Sequence, residues 1–388
     1  MFALYSSLIV GITCSMEHIK LSSGLTEFAV ALYKEISKDP GNVFLSPFSI
    51  STALSMVLLG TQGETREQLF KTLNLDGVSE NEINSGFSSL QACLKSSKVI
   101  LETANQLFPE ISFPLEEEFV SKCKQYHGAD IKGLDFVGNP ENSRNAINQW
   151  VENVTKGKIT DLLSGSINSL VRLVIANAVY FKGDWLNPFK EGATVLKDFH
   201  VQKDVTKKVH MMNMERKFPF NYDSNLDLHA VELPYVGEKV SMVVFVPAKR
   251  FGLEEIAKNL TATKISELIS GLFEEKVNFS MPKMKFEKSL DLVEILKNLG
   301  LVDIFNAEKA NLEGISKTGE LFVSQVQHKA FLEVDEKGTV AAAATAVVMM
   351  LRSLPVPPVR VTCDHPFLFV IRHKPSKNIL FMGRYSGP

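Results

Sequence analysis

Glu336-Lys-Gly-Thr-Val-Ala-Ala-Ala-Ala-Thr-Ala-Val-Val-Met-Met-Leu-Arg352-Ser353-Leu-Pro-Val-Pro-Pro358 is the segment on which the reading of this chain turns. From Gly338 to Leu351 it carries no charge and almost no hydrogen-bonding side chain. A membrane-spanning helix needs about 20 apolar residues, and this run is too short. A buried Ala-rich helix suits its propensity, but Gly338 at the entry and the β-branched pair Val347-Val348 count against it. An ordinary core strand is about 5–6 residues long, and this run is more than twice that. A fourth reading accounts for all of these features: an exposed loop that later becomes a central strand of an existing sheet. A strand buried on both faces cannot carry charge without a large desolvation cost. Alternation would set Thr339, Ala341, Ala343, Thr345, Val347 and Met349 on one face, small where the strand enters and larger further on. Such a loop is metastable, and its uncharged length is a self-pairing hazard.

Outward from this segment, helical and strand periodicities separate along the chain. Leu25, Phe28, Ala29, Leu32 and Ile36 recur at helical spacing until Asp39-Pro40-Gly41 stops them. Ser46-Pro47-Phe48 opens a second helix ending near Gly60, and Ile147, Trp150, Val151 and Val154 mark another that closes near Gly157. Strand-like runs follow at Leu173 to Phe181, Val231 to Leu233, Val240 to Val246, Val277 to Phe286, Phe367 to Ile371 and Ile379 to Met382. Helices crowd the first half and strands the second, which predicts an α+β architecture with large, mainly antiparallel sheets.

The 388 residues, 45% hydrophobic and 22% charged with a net charge of −2, have the composition of a soluble globular protein. The length suggests two or three domains, yet no linker, charge run or repeat offers a boundary. Basic residues are spread rather than clustered, which excludes a nucleic-acid or membrane-surface footprint. Residues 1–15, MFALYSSLIVGITCS, are uncharged and mostly apolar, the pattern of a secretory signal peptide without the usual Lys or Arg near its start. Removing them leaves Cys93, Cys123 and Cys363, which cannot all pair within one chain. In a secreted protein Asn153, Asn259 and Asn278 would be glycosylation sequons, with Asn278 the weakest because its run is strand-like. No GxSxG, GxxxxGK[ST], HExxH or dinucleotide fingerprint occurs, and the eight histidines lack metal-ligand spacing.

Six segments, in order, resemble motifs of the serpin family of serine protease inhibitors. They are Asn42-Val-Phe-Leu-Ser-Pro-Phe-Ser49, Asn177-Ala-Val-Tyr-Phe-Lys-Gly-Asp-Trp185, Glu232-Leu-Pro-Tyr235, the hinge Glu336–Thr345, Asp364-His-Pro-Phe-Leu-Phe369 and Phe381-Met-Gly-Arg384. The resemblance covers nearly all of residues 20–388 and implies a single α+β domain, 16–388, with three β-sheets, eight or nine helices and a reactive-centre loop at about 336–358. It implies no enzyme, no metal and a monomer. A protease attacks the loop as substrate and forms an acyl-enzyme; the loop then inserts into the main sheet and distorts the protease before deacylation. Family spacing makes the hinge Glu336 the seventeenth residue counted back from the cut, which falls at Arg352–Ser353. Arg352 suits the buried carboxylate of a trypsin-like pocket; a cut at Met350 or Leu351 would suit elastase- or chymotrypsin-like enzymes instead.

The same resemblance makes Glu336, Gly338, Thr339, Ala341, Ala342, Ala343, Ala344 and Thr345 an insertable hinge, and Met349, Met350, Leu351 and Leu354 the subsite residues. Ser46, Ser49, Asn177 and His328 look like the polar cluster where the main sheet parts, and Trp185 and Lys283 like the elements at its top. The leader and loop are similar to those of secreted tick serpins, which would imply extracellular blood proteases and a role in haemostasis. For a glycosaminoglycan cofactor the chain offers only Lys95 and Lys98 before Leu101, or the modest cluster Lys203, Lys207, Lys208 and His210. Rivals are a non-inhibitory serpin, which tends to carry charged or bulky hinge residues that are lacking here, and a hydrolase with an unrecognised triad, which would turn over small substrates.

Overall fold

The structure is a computed structural model and describes residues 19–95, 97–338 and 357–388. The chain runs α1 (Ile19–Ile36), β1 (Val43–Leu45), α2 (Pro47–Leu58), α3 (Gly63–Thr72), α4 (Glu80–Lys95), β2 (Ile100–Pro109), α5 (Glu117–His127), α6 (Pro140–Val154) and β3 (Leu173–Lys182). It continues through β4 (Val195–Gln202), β5 (Val205–Asp223), β6 (Leu228–Pro234), β7 (Val240–Pro247), α7 (Leu253–Asn259), α8 (Ala262–Ser270), β8 (Phe273–Pro282), β9 (Met284–Asp291), α9 (Val293–Asn298), β10 (Gln325–Val334), β11 (Val359–Thr362), β12 (Phe367–His373) and β13 (Ile379–Tyr385).

One sheet has four strands in the order β2-β3-β10-β9. Its outer pairs are antiparallel, but β3 and β10 run parallel, Gln325 opposite Val174 through Leu332 opposite Phe181. The second sheet has nine strands. The 19-residue β5 joins its two limbs, pairing with β4 and β8 along most of its length and with β6 at its end. One limb continues as β6-β7-β12-β13-β1, the other as β4-β5-β8-β11. Together with the four-stranded sheet these limbs make the three sheets expected, and nine α-helices lie among the described residues.

Local chemistry explains the elements that place the four-stranded sheet. Ser46 caps α2, its Oγ accepting from Ser49 N–H at 3.2 Å with Pro47 following in the first turn. Every residue of α2 is buried, because this helix is enclosed between the two sheets. α6 lies on the opposite face, with Ile147 and Val151 packed against Phe108, Ala176 and Ala178 in a core cluster separate from the main one. Burying each such aliphatic side chain contributes about 1.5–3 kcal/mol. β3 is thus covered on both faces and reads as a near-continuous apolar run.

The sequence pattern fails at one instructive place. Val277 to Phe286 reads as one strand, but the chain leaves one sheet at Pro282 and enters the other at Met284. Proline has no N–H for a continuing ladder. The break leaves Lys283 between the two strands, where its side chain meets Glu336.

Candidate functional site

The chain leaves the four-stranded sheet at Val334, at the head of the parallel pair β3 and β10, and the next four residues are clasped there. Three successive carbonyl oxygens accept bonds from one short stretch of chain. Asp335 O takes the Trp185 indole N–H at 3.0 Å, Glu336 O takes Phe189 N–H at 2.8 Å, and Lys337 O takes Trp185 N–H at 3.2 Å. Trp185 is itself fixed by stacking on Tyr235, ring centroids 4.5 Å apart. Gly338 has φ +71°, and a Cβ there would lie 2.3 Å from Trp185 N and 2.5 Å from Gly183 O. Only glycine fits a positive φ with backbone on that side.

The Glu336 carboxylate completes the clasp, accepting from Lys283 Nζ at 2.9 Å and from Thr194 Oγ1 at 2.7 Å. Burial pushes this carboxyl upward, but the bonds from Lys283 and Thr194 outweigh it and hold it below its ordinary value. The same bond raises Lys283. Lys283 is 43% exposed, so the pair contributes at most about 1 kcal/mol. The carbonyl bonds and the packing of Trp185 hold the chain more than this charge pair does.

Below this point, midway along β3 and β10, the register sets His328 beside Asn177 and, across β2, Asn105 beside Asn177. His328 Nδ1 bonds Asn177 Oδ1, and Ser46 N–H donates to His328 Nε2 at 3.2 Å. A ring whose Nε2 accepts must carry its proton on Nδ1, so His328 is the neutral tautomer. Burial agrees, driving its pKa down to about 3. Asn177 Nδ2 donates to Ser49 Oγ at 2.7 Å and to Asn105 Oδ1. Ser49 Oγ–H donates to Asn105 Oδ1 at 3.0 Å, and Ser46 Oγ–H to Leu380 O at 2.7 Å. The four residues expected from the sequence are therefore one network, and Asn105 is its unanticipated fifth member. The chain of bonds crosses three adjacent strands and reaches the helix beneath them.

This arrangement performs no chemistry. Both His328 nitrogens are occupied, and the two serine hydroxyls point at an amide and a backbone carbonyl. The Asp364–His365 pair, 2.7 Å apart, superficially suggests a triad, but His365 Nε2 is bonded to Pro247 O at 2.9 Å and so faces a carbonyl, not a hydroxyl. Among the described residues no His/Cys/Asp/Glu group could hold a metal, and no helix is long and apolar enough to cross a membrane. Cys123 and Cys363 are buried free thiols; burial raises Cys123 to about 12 and Cys363 well above its ordinary value. Asn153 and Asn259 are exposed, whereas Asn278 is half-buried within β8. In the modest basic cluster Lys208 is paired with Asp198 at 2.8 Å, and Lys207 donates to Pro388 O at 2.9 Å. Arg352–Ser353, Thr339, Ala341 to Thr345, Met349 to Leu351, Leu354 and the leader lie outside the described residues.

Comparison with known proteins agrees with this architecture. The family model described as Serpin (serine protease inhibitor) matches residues 23–388. Leukocyte elastase inhibitors of Equus caballus and Homo sapiens are each 42% identical over 380 residues, spanning 95% of this chain and 100% of theirs. Among solved structures, one described as a tumour suppressing serpin superimposes with a TM-score of 0.87 at 31% identity, covering 95% of this chain and 99% of the other. The family assignment rests on such relatives, not on tick proteins. The expectation of a secreted, extracellular protein is overturned by the same relatives. Those relatives align over 100% of their own length with 95% of this chain, and that match lends the leader expected at residues 1–15 no support.

Proposed function

The chain belongs to the serpin family of serine protease inhibitors, and on that premise we propose that it traps a trypsin-like serine protease through the Arg352–Ser353 bond. The observation that carries this reading is the clasp at Glu336–Gly338. It sits at the head of the two parallel strands, and the residues that follow are small and uncharged. A loop anchored there is aligned to enter between β3 and β10 antiparallel to both. Ser46, Ser49, Asn105, Asn177 and His328 hold those strands together until the loop is cut, and Trp185 and Lys283 hold its near end. Trapping is a race: insertion must carry the acyl-enzyme away before water releases it. Arg352 selects the target because a buried carboxylate in the specificity pocket leaves an apolar residue poorly held.

A second reading has one observation in its favour, the elastase named in the relatives' description. It would put the cut at Met350 or Leu351, two residues suited to an apolar pocket.

Arg352→Ala separates the two readings. The trypsin-like reading expects inhibition of trypsin to fall by about 100-fold or more, with the peptide released from the parent chain beginning at Ser353. Undiminished trypsin inhibition, or a released peptide beginning at Leu351 or Arg352, overturns it in favour of the elastase-like reading.

A further inference from the structure

The seam between β3 and β10 is not closed evenly along its length. On the face covered by α6 the side chains in register are Val174 with Gln325, Ala176 with Gln327, Ala178 with Lys329 and Tyr180 with Phe331. The alanines make the middle pairs lopsided, and only the last pair brings two large apolar side chains together. The Tyr180 and Phe331 rings lie 5.4 Å apart between centroids and are tilted by 40°, a separation at which aromatic rings attract.

Each ring is also covered from outside the pair. Lys158, in the connector that follows α6, holds its ammonium 5.8 Å from the Tyr180 ring centre, and Lys285 of β9 holds its own 5.1 Å from that of Phe331. The connector is tied down beside them by Lys156, which pairs with Glu102 on β2, the residue opposite Tyr180.

Position gives this pair its effect. It lies one residue from the clasped end of the registered pairing and three residues ahead of Asn177 and His328. A strand entering from Glu336 therefore meets the rings before it reaches the His328 network. Neighbouring strands lie about 4.8 Å apart, so a strand between β3 and β10 widens their spacing to about 9.6 Å. The two rings then no longer touch.

We propose that Tyr180 and Phe331 are positioning residues that latch β3 to β10 and set how readily the four-stranded sheet opens. This rests on the proposed entry of a strand between β3 and β10, but not on which protease cuts the loop. The clasp fixes where that strand starts, and the rings fix how easily its neighbours part.

Uptake of a labelled synthetic peptide of residues 339–351 by the intact chain tests the latch without any protease, the label being followed as it comes to co-migrate with the protein. Tyr180→Leu and Phe331→Leu should each take up the peptide about two- to tenfold faster than the parent. Tyr180→Phe keeps the ring and should match the parent. Because the rings act on each other, the double leucine variant should be no faster than either single one. Thermal unfolding verifies that each variant is folded. Leucine variants no faster than the parent, or a double variant whose acceleration is the product of the single ones, would overturn the latch alone. Absence of uptake by every chain would overturn strand entry and the latch with it.

Discussion

His328 accepts the Ser46 N–H at Nε2, a bond that only the neutral ring can make, and this governs how the molecule responds to acid. Its folded pKa, about 3, lies below the ordinary value near 6.5. Above pH 6.5 neither folded nor unfolded chain binds the proton, and the contribution is fully present. As pH falls from 6.5 towards 3 only the unfolded chain is protonated, so stability is lost at about 1.4 kcal/mol per pH unit for this group. His127 and His373, both lowered to about 4 by burial, add to the slope over 6.5 to 4. Urea unfolding should therefore show lower stability at pH 5 than at pH 7, and His328→Gln should flatten that difference while lowering stability at pH 7. An unchanged pH slope in the variant would mean that His328 is not the buried neutral ring described. Gly338 gives a second test at this scale. Gly338→Ala places a Cβ on the Trp185 backbone at positive φ and should destabilise the native chain by about 1–3 kcal/mol, read by the same unfolding curves. At this scale the sequence was informative through the family resemblance, which singled out Ser46, Ser49, Asn177 and His328. Asn105 was not legible, because an Asn in Ile100–Pro109 announces itself only once β2 is aligned with β3.

Elements were legible where burial is one-sided or complete. β3, β7, β12 and β13 stand within a few residues of their apolar runs, and α1, α2 and α6 lie where the helical spacing and Pro signals put them. β5 was missed for a physical reason: its 19 residues carry Lys, His, Asn, Glu and Arg on an exposed face while Val209, Met211, Phe218 and Phe220 face inward. Alternation that weak looks like a loop until both neighbouring strands are in place. The β8–β9 break shows the converse, an apolar run too continuous to reveal a change of sheet. The proposed function depends on the loop, and one substitution tests its fate. Thr339→Arg puts a charge on the first residues that would enter between β3 and β10, where no partner waits. A buried unpaired charge stalls the strand, so the variant should be cut by trypsin as a substrate, with covalent complex on denaturing gels reduced to a minor band. Undiminished complex would rule out entry of this end of the loop into the sheet.

At the scale of the whole molecule, the parallel pair β3 and β10 is the feature from which the account follows. Two parallel strands can receive one strand antiparallel to both, converting one parallel contact into two antiparallel ones. The clasp lies at one end of that pair and the His328 network midway along it; the proposed insertion requires that the native fold not be the most stable arrangement of its own chain. The six ordered motifs conveyed the family; which strands are neighbours, and that they run parallel, emerges only from pairings between residues 151 positions apart, such as Asn177 with His328. The measurement that tests this claim most directly is thermal unfolding of the intact chain against the same chain nicked within residues 346–354 by a protease that escapes trapping. Insertion of about ten further residues as a central strand predicts that the nicked chain melts roughly 15 °C or more above the intact one. A nicked chain that melts at or below the intact temperature, as an ordinary cut loop does, would contradict the account.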